Sequence, residues 1–382
     1  MEACETELPH VVRGLAPTPI PDPNPLFTPS QFRDLVSGRR RGLWPAVLRC
    51  GFRVVEVPYT RAVCWRNRRY DTGRAEVHRV GVPVVSVGNL TLGGTGKTPM
   101  VAWLVRWFRE RDVRVAIVSR GYRANVGARN DEALELQRKL PDVPHLQNPD
   151  RVATAKRAIE EHECQLIVLD DAFQHRRIAR DLDIVLLDAL EPFGFGHVFP
   201  RGTLREPVSG LRRADVVVLS RADLLEPDAR ARIREQVRRH APEAVWAEGM
   251  HGPQALFASR GETQPLDSLA DRPVAAFCGI GNPAGFRHTL RGCGYRAVAF
   301  REFPDHHAYS RADVESLAEW ADRLDVAAVV CTRKDLVKLR IDRLGRHPLL
   351  AVTIGLEFLA GQADVEAKLE AVPSEGTAER LA

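Results

Sequence analysis

The chain has 382 residues, 44% of them apolar, so it can bury a large core, and its length favours two domains over one. A net charge of +5 is a small excess for this length; it suits an anionic surface or substrate and does not mark a nucleic-acid binder. Seven scattered cysteines with no C-x-x-C pair argue against a disulfide framework or a zinc site and fit a reducing cytoplasm.

Residues 1–38 read as a flexible proline-rich leader ("LAPTPIPDPNPLFTPS") that lacks the basic start and apolar centre of a secretory signal. No apolar run approaches the roughly 20 residues that span a bilayer, so a membrane role is expected to be peripheral. Residues 39–80 form a basic segment. From Arg39 to Arg69 it sets nine arginines, Arg49, Arg53 and Arg61 among them, against one acid, Glu56. Leu43, Val47, Leu48, Phe52, Val55 and Tyr59 recur at three- to five-residue steps, which predicts amphipathic helix with Pro45 near its start and Pro58 as a break. Arginines mixed with aromatics suit an anionic membrane surface. A helix that packs its stripe on the core and leaves its arginines in water fits the same pattern.

From about Gly81, β-rich runs alternate with helical stretches. "VPVVSV" is followed by a helix from Pro99 to Arg109, then "VRVAIVS", a helix near Asp131 to Leu140, a helix from Asp150, and "LIVLDD". "DIVLLDA" and "DVVVLS" follow, then a charged helix from Pro227 to His240. Continuous apolar strands separated by helices predict a parallel sheet covered on both faces, an α/β domain of the P-loop NTPase kind over residues 81–255. A second series, "PVAAFCG", "YRAVAF", "VAAVVCT" and "PLLAVTI" with helices from Pro283 and after Ser310, predicts a smaller α/β domain within residues 256–382.

The turn after "VPVVSV" carries the first chemistry: Thr91, Leu92, Gly93, Gly94, Thr95, Gly96, Lys97 and Thr98. It meets the Walker pattern at Gly96, Lys97 and Thr98, but Thr91 holds the first-glycine position. Small residues let backbone N–H groups face phosphate oxygens, the following helix adds its dipole, Lys97 meets the β/γ charge and Thr98 ligates Mg²⁺. "GIGNPA" from Gly279 competes as a dinucleotide fingerprint, although Pro283 there also marks a helix start. Asp170 and Asp171 end an apolar strand where a P-loop fold holds its metal. "VLSRAD" (Val218 to Asp223) resembles the guanine reader of GTPases only faintly, with Ser220 and Arg221 replacing the defining pair, and a regulatory GTPase is the alternative function. Arg151 opens a helix capped by Asp150, where a cation opposes the dipole and so points to an anion. Asp131 and Glu132 open another helix, where acids are what the dipole prefers. "FPDHHAYS" sets Asp305, His306 and His307 before a cap at Ser310 with Asp313.

As a set, "VPVVSVGNLTLGGTGKTP", "VSRGY", "NDE", "DDAFQHRRIARDLDIVLLDA", "GTLREP", "AFCGIGNPAGF", "FPDHHAYS" and "CTRKDLVKL" resemble the tetraacyldisaccharide 4′-kinases, in that family's order and over most of the chain. The resemblance implies ATP as donor, Mg²⁺, and transfer to the 4′-hydroxyl of a membrane-embedded tetraacyl disaccharide 1-phosphate, giving lipid IVA. It also implies peripheral attachment to the cytoplasmic side of the inner membrane, with no nucleic acid and no protein partner. Asp131 matches the family's catalytic carboxylate and His306 the histidine that partners it from the other domain, so the two domains are expected to close on the substrate. Asp170, Asp171 and Glu206 match its acidic residues around the metal, and Arg151 and Arg205 its phosphate-facing arginines. "GIGNP" becomes a loop of the second domain and loses its dinucleotide reading. Ala172 stands where the family has glycine, Asn130 and Ala133 replace the Gly and Pro of G-D-E-P, and Arg333 replaces an acid. Of these, Ala172 carries the sharpest expectation, because alanine is penalised at a site with φ > 0.

Overall fold

The computed structural model describes residues 29–121, 136, 137, 139–305 and 307–372. The chain divides into two compact units, Met1–Cys50 and Gly51–Ala382. In the first, helix Pro29–Val36 is followed by a turn, and Arg49 of the next helix donates to the carbonyls of Leu35 (3.4 Å) and Arg40 (3.0 Å).

The second unit is built on one sheet. Its strands are β1 (Val84–Asn89), β2 (Val115–Ser119), β3 (His145–Gln147), β4 (Leu166–Asp170), β5 (Leu182–Asp188), β6 (Val216–Ser220), β7 (Val245–Phe257), β8 (Thr263–Gln264), β9 (Pro273–Cys278), β10 (Arg296–Glu302), β11 (Ala328–Thr332), β12 (Arg343–Leu344) and β13 (His347–Ala360). They run in the order β10-β9-β11-β13-β7-β6-β5-β1-β4-β2-β3, with β12 on β13 and β8 on β7. Pairing is parallel except for β13 with β7, β12 with β13, and β8 with β7. This is the α/β architecture that the alternation of apolar runs and helices predicts.

Both sheet faces are covered, which is why strands such as "VVSVGN" and "LIVLD" are apolar throughout. On one face Met100, Leu104 and Phe108 of helix Lys97–Arg109 pack with Val85, Val87 and Val168; on the other, Val152, Ala155 and Ala158 of helix Arg151–His162 pack with Val84, Ile167 and Leu169. Burying a side chain of this kind contributes about 1.5–3 kcal/mol, so the two helices are fixed on the sheet and their N-termini with them. Strand β1 lies between β4 and β5, with Val87 opposite Asp170, so the turn after β1 and the carboxylates after β4 emerge side by side.

The basic segment departs from expectation. Leu43–Asp71 is one helix with Pro58 inside it. Pro58 is exposed, so the carbonyl that loses its hydrogen bond there is solvated and the break does not occur. The helix buries Glu56, Val63 and Asn67, while Trp44, Val54, Val55 and Trp65 stay more than half exposed. Of the predicted stripe, Leu43, Val47 and Val55 are likewise more than half exposed, whereas Leu48 and Phe52 are half-buried and Tyr59 meets the Phe199 ring, so most of the stripe faces solvent. Within the second unit Glu56 accepts from Val198 N (2.9 Å) and faces His197 Nδ1 (3.2 Å), and Asn67 donates to Glu206 (2.7 Å), so polar side chains fasten the helix. No helix among the described residues is long and apolar enough to cross a membrane.

Candidate active site

After β1 the chain turns through Leu90–Gly96 into helix Lys97–Arg109. Asn89 Nδ2 donates to the carbonyls of Thr91 (2.9 Å) and Gly93 (3.4 Å), which tightens the turn from inside. Along one edge "GTLREP" pairs with it: Leu92 N donates to Thr203 O and Arg205 N to Leu90 O, both at 2.7 Å, and Thr91 bridges Leu204. Thr91 is thus an extended, paired residue, and a glycine is not required where the Walker pattern has one. On the far side Arg221 donates to the Gly94 carbonyl (2.9 Å) and also to Asp188, tying the loop to the end of β5. Gly96 has φ 82°, and a Cβ there would lie 2.5 Å from His251 Nε2, so both backbone and space demand glycine. No side chain caps this helix, which leaves its first N–H groups for an anion.

Opposite the loop, β4 ends in Asp170, and the next residue, Asp171, takes the left-handed conformation (φ 52°). Asp171 Oδ1 is 2.8 Å from Arg205 Nη1 and 3.5 Å from Lys97 Nζ. Arg151 Nη2 donates to the Asp171 carbonyl at 3.0 Å. Lys97, Arg151 and Arg205, distant in sequence, therefore converge on one residue. Burial alone would push the Asp171 carboxyl up, but Lys97, Arg205 and Arg151 outweigh it and hold it below its ordinary value. Burial lowers the Arg151 pKa, opposed by Asp171 and Asp170. The left-handed residue is Asp171 and not Ala172, which is fully buried with a non-positive φ. Alanine at 172 carries no backbone strain, and the expected penalty is withdrawn. Close approach is required instead at Gly88, where a Cβ would lie 2.6 Å from Phe173 N.

Glu206 is fully buried, and both its oxygens are engaged: Oε2 by Asn67 (2.7 Å), Oε1 by Gln174 (3.1 Å) and Arg213 (2.8 Å). Gln174 also donates to the Asn89 carbonyl (2.9 Å), so Glu206 supports the loop from beneath. Thr98 lies in the first turn of the helix beside Lys97. Asp131 lies outside the described residues, as does His306.

Around position 306 the flanking residues are held tightly. Asp335, fully buried, accepts from Tyr309 Oη (2.9 Å), Gly279 N (3.1 Å) and Thr332 Oγ1 (2.6 Å), so the loops after β9, β10 and β11 meet on one carboxylate. Burial and the Asp335 charge push the Tyr309 hydroxyl far up, which keeps it a donor. Sequence reading missed Gln174 and Asp335, although both lie in quoted segments. In the sequence Arg221 stands out only as part of the faint base-reader pattern.

His175 provides a pH dependence. Burial first, then Arg151, Arg180 and Arg177, with Asp150 opposing, lower its pKa to about 4. The unfolded imidazole titrates near 6.5, so as pH falls from about 6.5 to about 4 the unfolded chain binds the proton first and native stability declines. Urea midpoints should fall across that window, and His175→Asn should flatten the slope. An unchanged slope in the variant would mean that other groups govern it.

A family model described as tetraacyldisaccharide-1-P 4′-kinase matches residues 48–373. The tetraacyldisaccharide 4′-kinase of Anaeromyxobacter sp. (strain K) is 40% identical over 337 residues, 83% of this chain and 89% of its own. That of Desulfatibacillum aliphaticivorans is 36% identical over 353 residues, 84% and 91% of the two chains. The crystal structure of "apo" form LpxK from Aquifex aeolicus in complex with ATP aligns at a TM-score of 0.67 with 28% identity, covering 85% of this chain and 99% of that one.

Proposed function

The chain belongs to the tetraacyldisaccharide-1-P 4′-kinase family, and on that premise we propose how its residues carry out the transfer. It is an ATP-using kinase of lipid A biosynthesis, and the GTPase alternative falls. The observation that carries the site assignment is the convergence of Lys97, Arg151 and Arg205 on Asp171 beside an uncapped helix N-terminus. Incubating purified protein with labelled ATP and the acylated disaccharide 1-phosphate, then counting the lipid phase, tests the reading directly.

In the proposed mechanism the backbone of Thr91 to Thr98 wraps the triphosphate and Lys97 neutralises its β/γ oxygens. Arg151 and Arg205 face the transferring phosphoryl group, where fixed cations act without reorganising during the reaction. Mg²⁺ suits the donors present: Asp170 aligns with Val87 near the end of β1, and Asp171 and Thr98 add hard oxygens. Among the described residues no three carboxylate, His or Cys side chains cluster as a cage, consistent with an ion held by one or two carboxylates and phosphates. Bound there, the ion would neutralise charge on the phosphates. Glu206, with both oxygens occupied, acts in this proposal by holding Gln174 and Arg213 in place, and the ligand role assigned from sequence passes to the other acids. Asp131 accepts the sugar hydroxyl proton, oriented by His306 when residues 81–255 and 256–382 close on the substrate. Asp131→Asn should lower turnover by about 10²–10⁴ with ATP affinity little changed. Collapse of nucleotide binding instead would make Asp131 a metal or structural residue.

We further propose a peripheral seat on the cytoplasmic face of the inner membrane through helix Leu43–Asp71, whose apolar residues face solvent beside its arginines. Replacing Arg49, Arg53 and Arg61 by Glu should release the protein from anionic vesicles at low salt. Equal sedimentation after charge reversal, or with neutral vesicles, would remove the electrostatic seat.

A further inference from the structure

Where helix Leu43–Asp71 ends, a cleft of about 410 Å³ opens, lined by Arg66, Arg69, Tyr70, Arg74, Glu76 and Arg177 among others. Four guanidiniums share it with one carboxylate. That carboxylate, Glu76, faces His78 Nδ1 at 3.4 Å, and among the described residues none of the four arginines is within ion-pair distance of an acid. Elsewhere in this unit arginines facing the interior are matched: Arg176 with Asp71, Arg180 with Asp183, Arg213 with Glu206. Four unmatched cations on one concave surface repel one another unless an anion joins them.

The walls are fixed by backbone bonds. Gly73 (φ 69°) reverses the chain after the helix, and the amides of Arg74 and Ala75 return to the Arg69 carbonyl at 2.8 and 3.0 Å, bringing Arg74 over the helix end. His78 N donates to the Arg177 carbonyl (2.8 Å), and His78 bridges Ile178, which sets Arg177 across from Arg74. The Arg69 guanidinium lies 5.1 Å from the centroid of the Trp65 ring, and Trp65 is 64% exposed on the apolar helix surface. The cleft thus borders the surface we assign to the bilayer. Arg177 is six residues beyond Asp171, at most about 22 Å along the chain and less with the intervening turns.

We propose that this cleft binds a phosphate monoester carried by a membrane-held lipid, and that its occupant is the phosphate already present on the acceptor. The assignment rests on the kinase reading above. Four unpaired arginines suit a dianion with three acceptor oxygens, which can take paired N–H donors from two or more guanidiniums. Tyr70 adds a hydroxyl. The site would hold one end of the disaccharide while the other meets the γ-phosphate.

The test uses the full chain and the double variant Arg74→Gln/Arg177→Gln, both exposed and both outside the arginine-rich helix, so that fold and membrane seat stand. Turnover is measured in neutral detergent micelles on the tetraacyl disaccharide with and without its anomeric phosphate. Wild type should prefer the phosphorylated acceptor by at least a hundredfold in kcat/KM, and removing Arg74 and Arg177 should lower that preference by roughly a hundredfold, about tenfold per arginine removed. The loss should appear in KM for the phosphorylated acceptor, with KM for ATP unchanged. Inorganic phosphate should compete with the acceptor in wild type and not in the variant. A preference that survives the substitutions, or its absence in wild type, overturns the proposal. So does a variant that keeps the preference but loses binding to phosphatidic-acid vesicles, since the cleft would then read bilayer headgroups. If wild type phosphorylates neither acceptor, the kinase reading fails instead, and calorimetric titration with the phosphorylated disaccharide decides the cleft separately.

Discussion

Lys97→Ala is expected to reduce phosphoryl transfer by roughly a hundredfold to a thousandfold while the protein stays folded. Loss of one preorganised charge-stabilising group costs about 10²–10³ in turnover, and Lys97 opens the helix whose N-terminus faces the phosphates. Its ammonium, mostly buried, lies 3.5 Å from Asp171 Oδ1, an oxygen that Arg205 also holds at 2.8 Å. Removing Lys97 therefore leaves the carboxylate paired, and Asn89, Arg205 N and Arg221 still shape the loop by hydrogen bonds that do not involve residue 97. Circular dichroism and melting temperature should match wild type. Near-normal transfer of labelled phosphate by this variant would sink the P-loop assignment.

Asp171→Asn should be nearly as severe, with turnover down by about a hundredfold or more, and with a different signature. Asparagine tolerates the left-handed backbone that residue 171 adopts, so the turn after β4 should survive. The charge does not. Lys97 and Arg205 would lose the carboxylate they share, while Arg151 keeps its bond to the residue 171 carbonyl, and a triphosphate would then be a more welcome partner. ATP binding measured without added metal should hold or tighten while transfer falls, whereas a purely structural Asp171 would weaken both together. Wild-type turnover in Asp171→Asn would remove this carboxylate from the proposed mechanism.

The two variants probe features of unequal legibility. The glycine-rich turn between an apolar strand and a helix is local, because strand, turn and helix N-terminus are contiguous and each has its own pattern. Arg151 was legible for a related reason, as a cation in a first turn where the dipole disfavours it, and Asp150 caps that helix as expected, accepting from Val152 N and Ala153 N. Arg205 was reached only through resemblance, since no local rule marks it. Its partner lies 34 residues away.

The sequence by itself determined the α/β class, the apolar strands β1, β2, β4, β5, β6, β9, β10, β11 and β13, the phosphate loop and the family, because apolar periodicity and turn chemistry act over a few residues and motif order is read along the chain. Tertiary structure alone decided three things. Pro58 does not end its helix, since solvent can satisfy the freed carbonyl on an exposed face. The strained backbone at the site belongs to Asp171 and not to Ala172, since which residue must turn depends on how the segment after β4 passes Gly88. And the roles of Arg221, Glu206 and Asp335 follow from contacts across strands brought together by parallel crossovers, where partners 7 to 139 residues apart meet without any spacing that a linear pattern could carry.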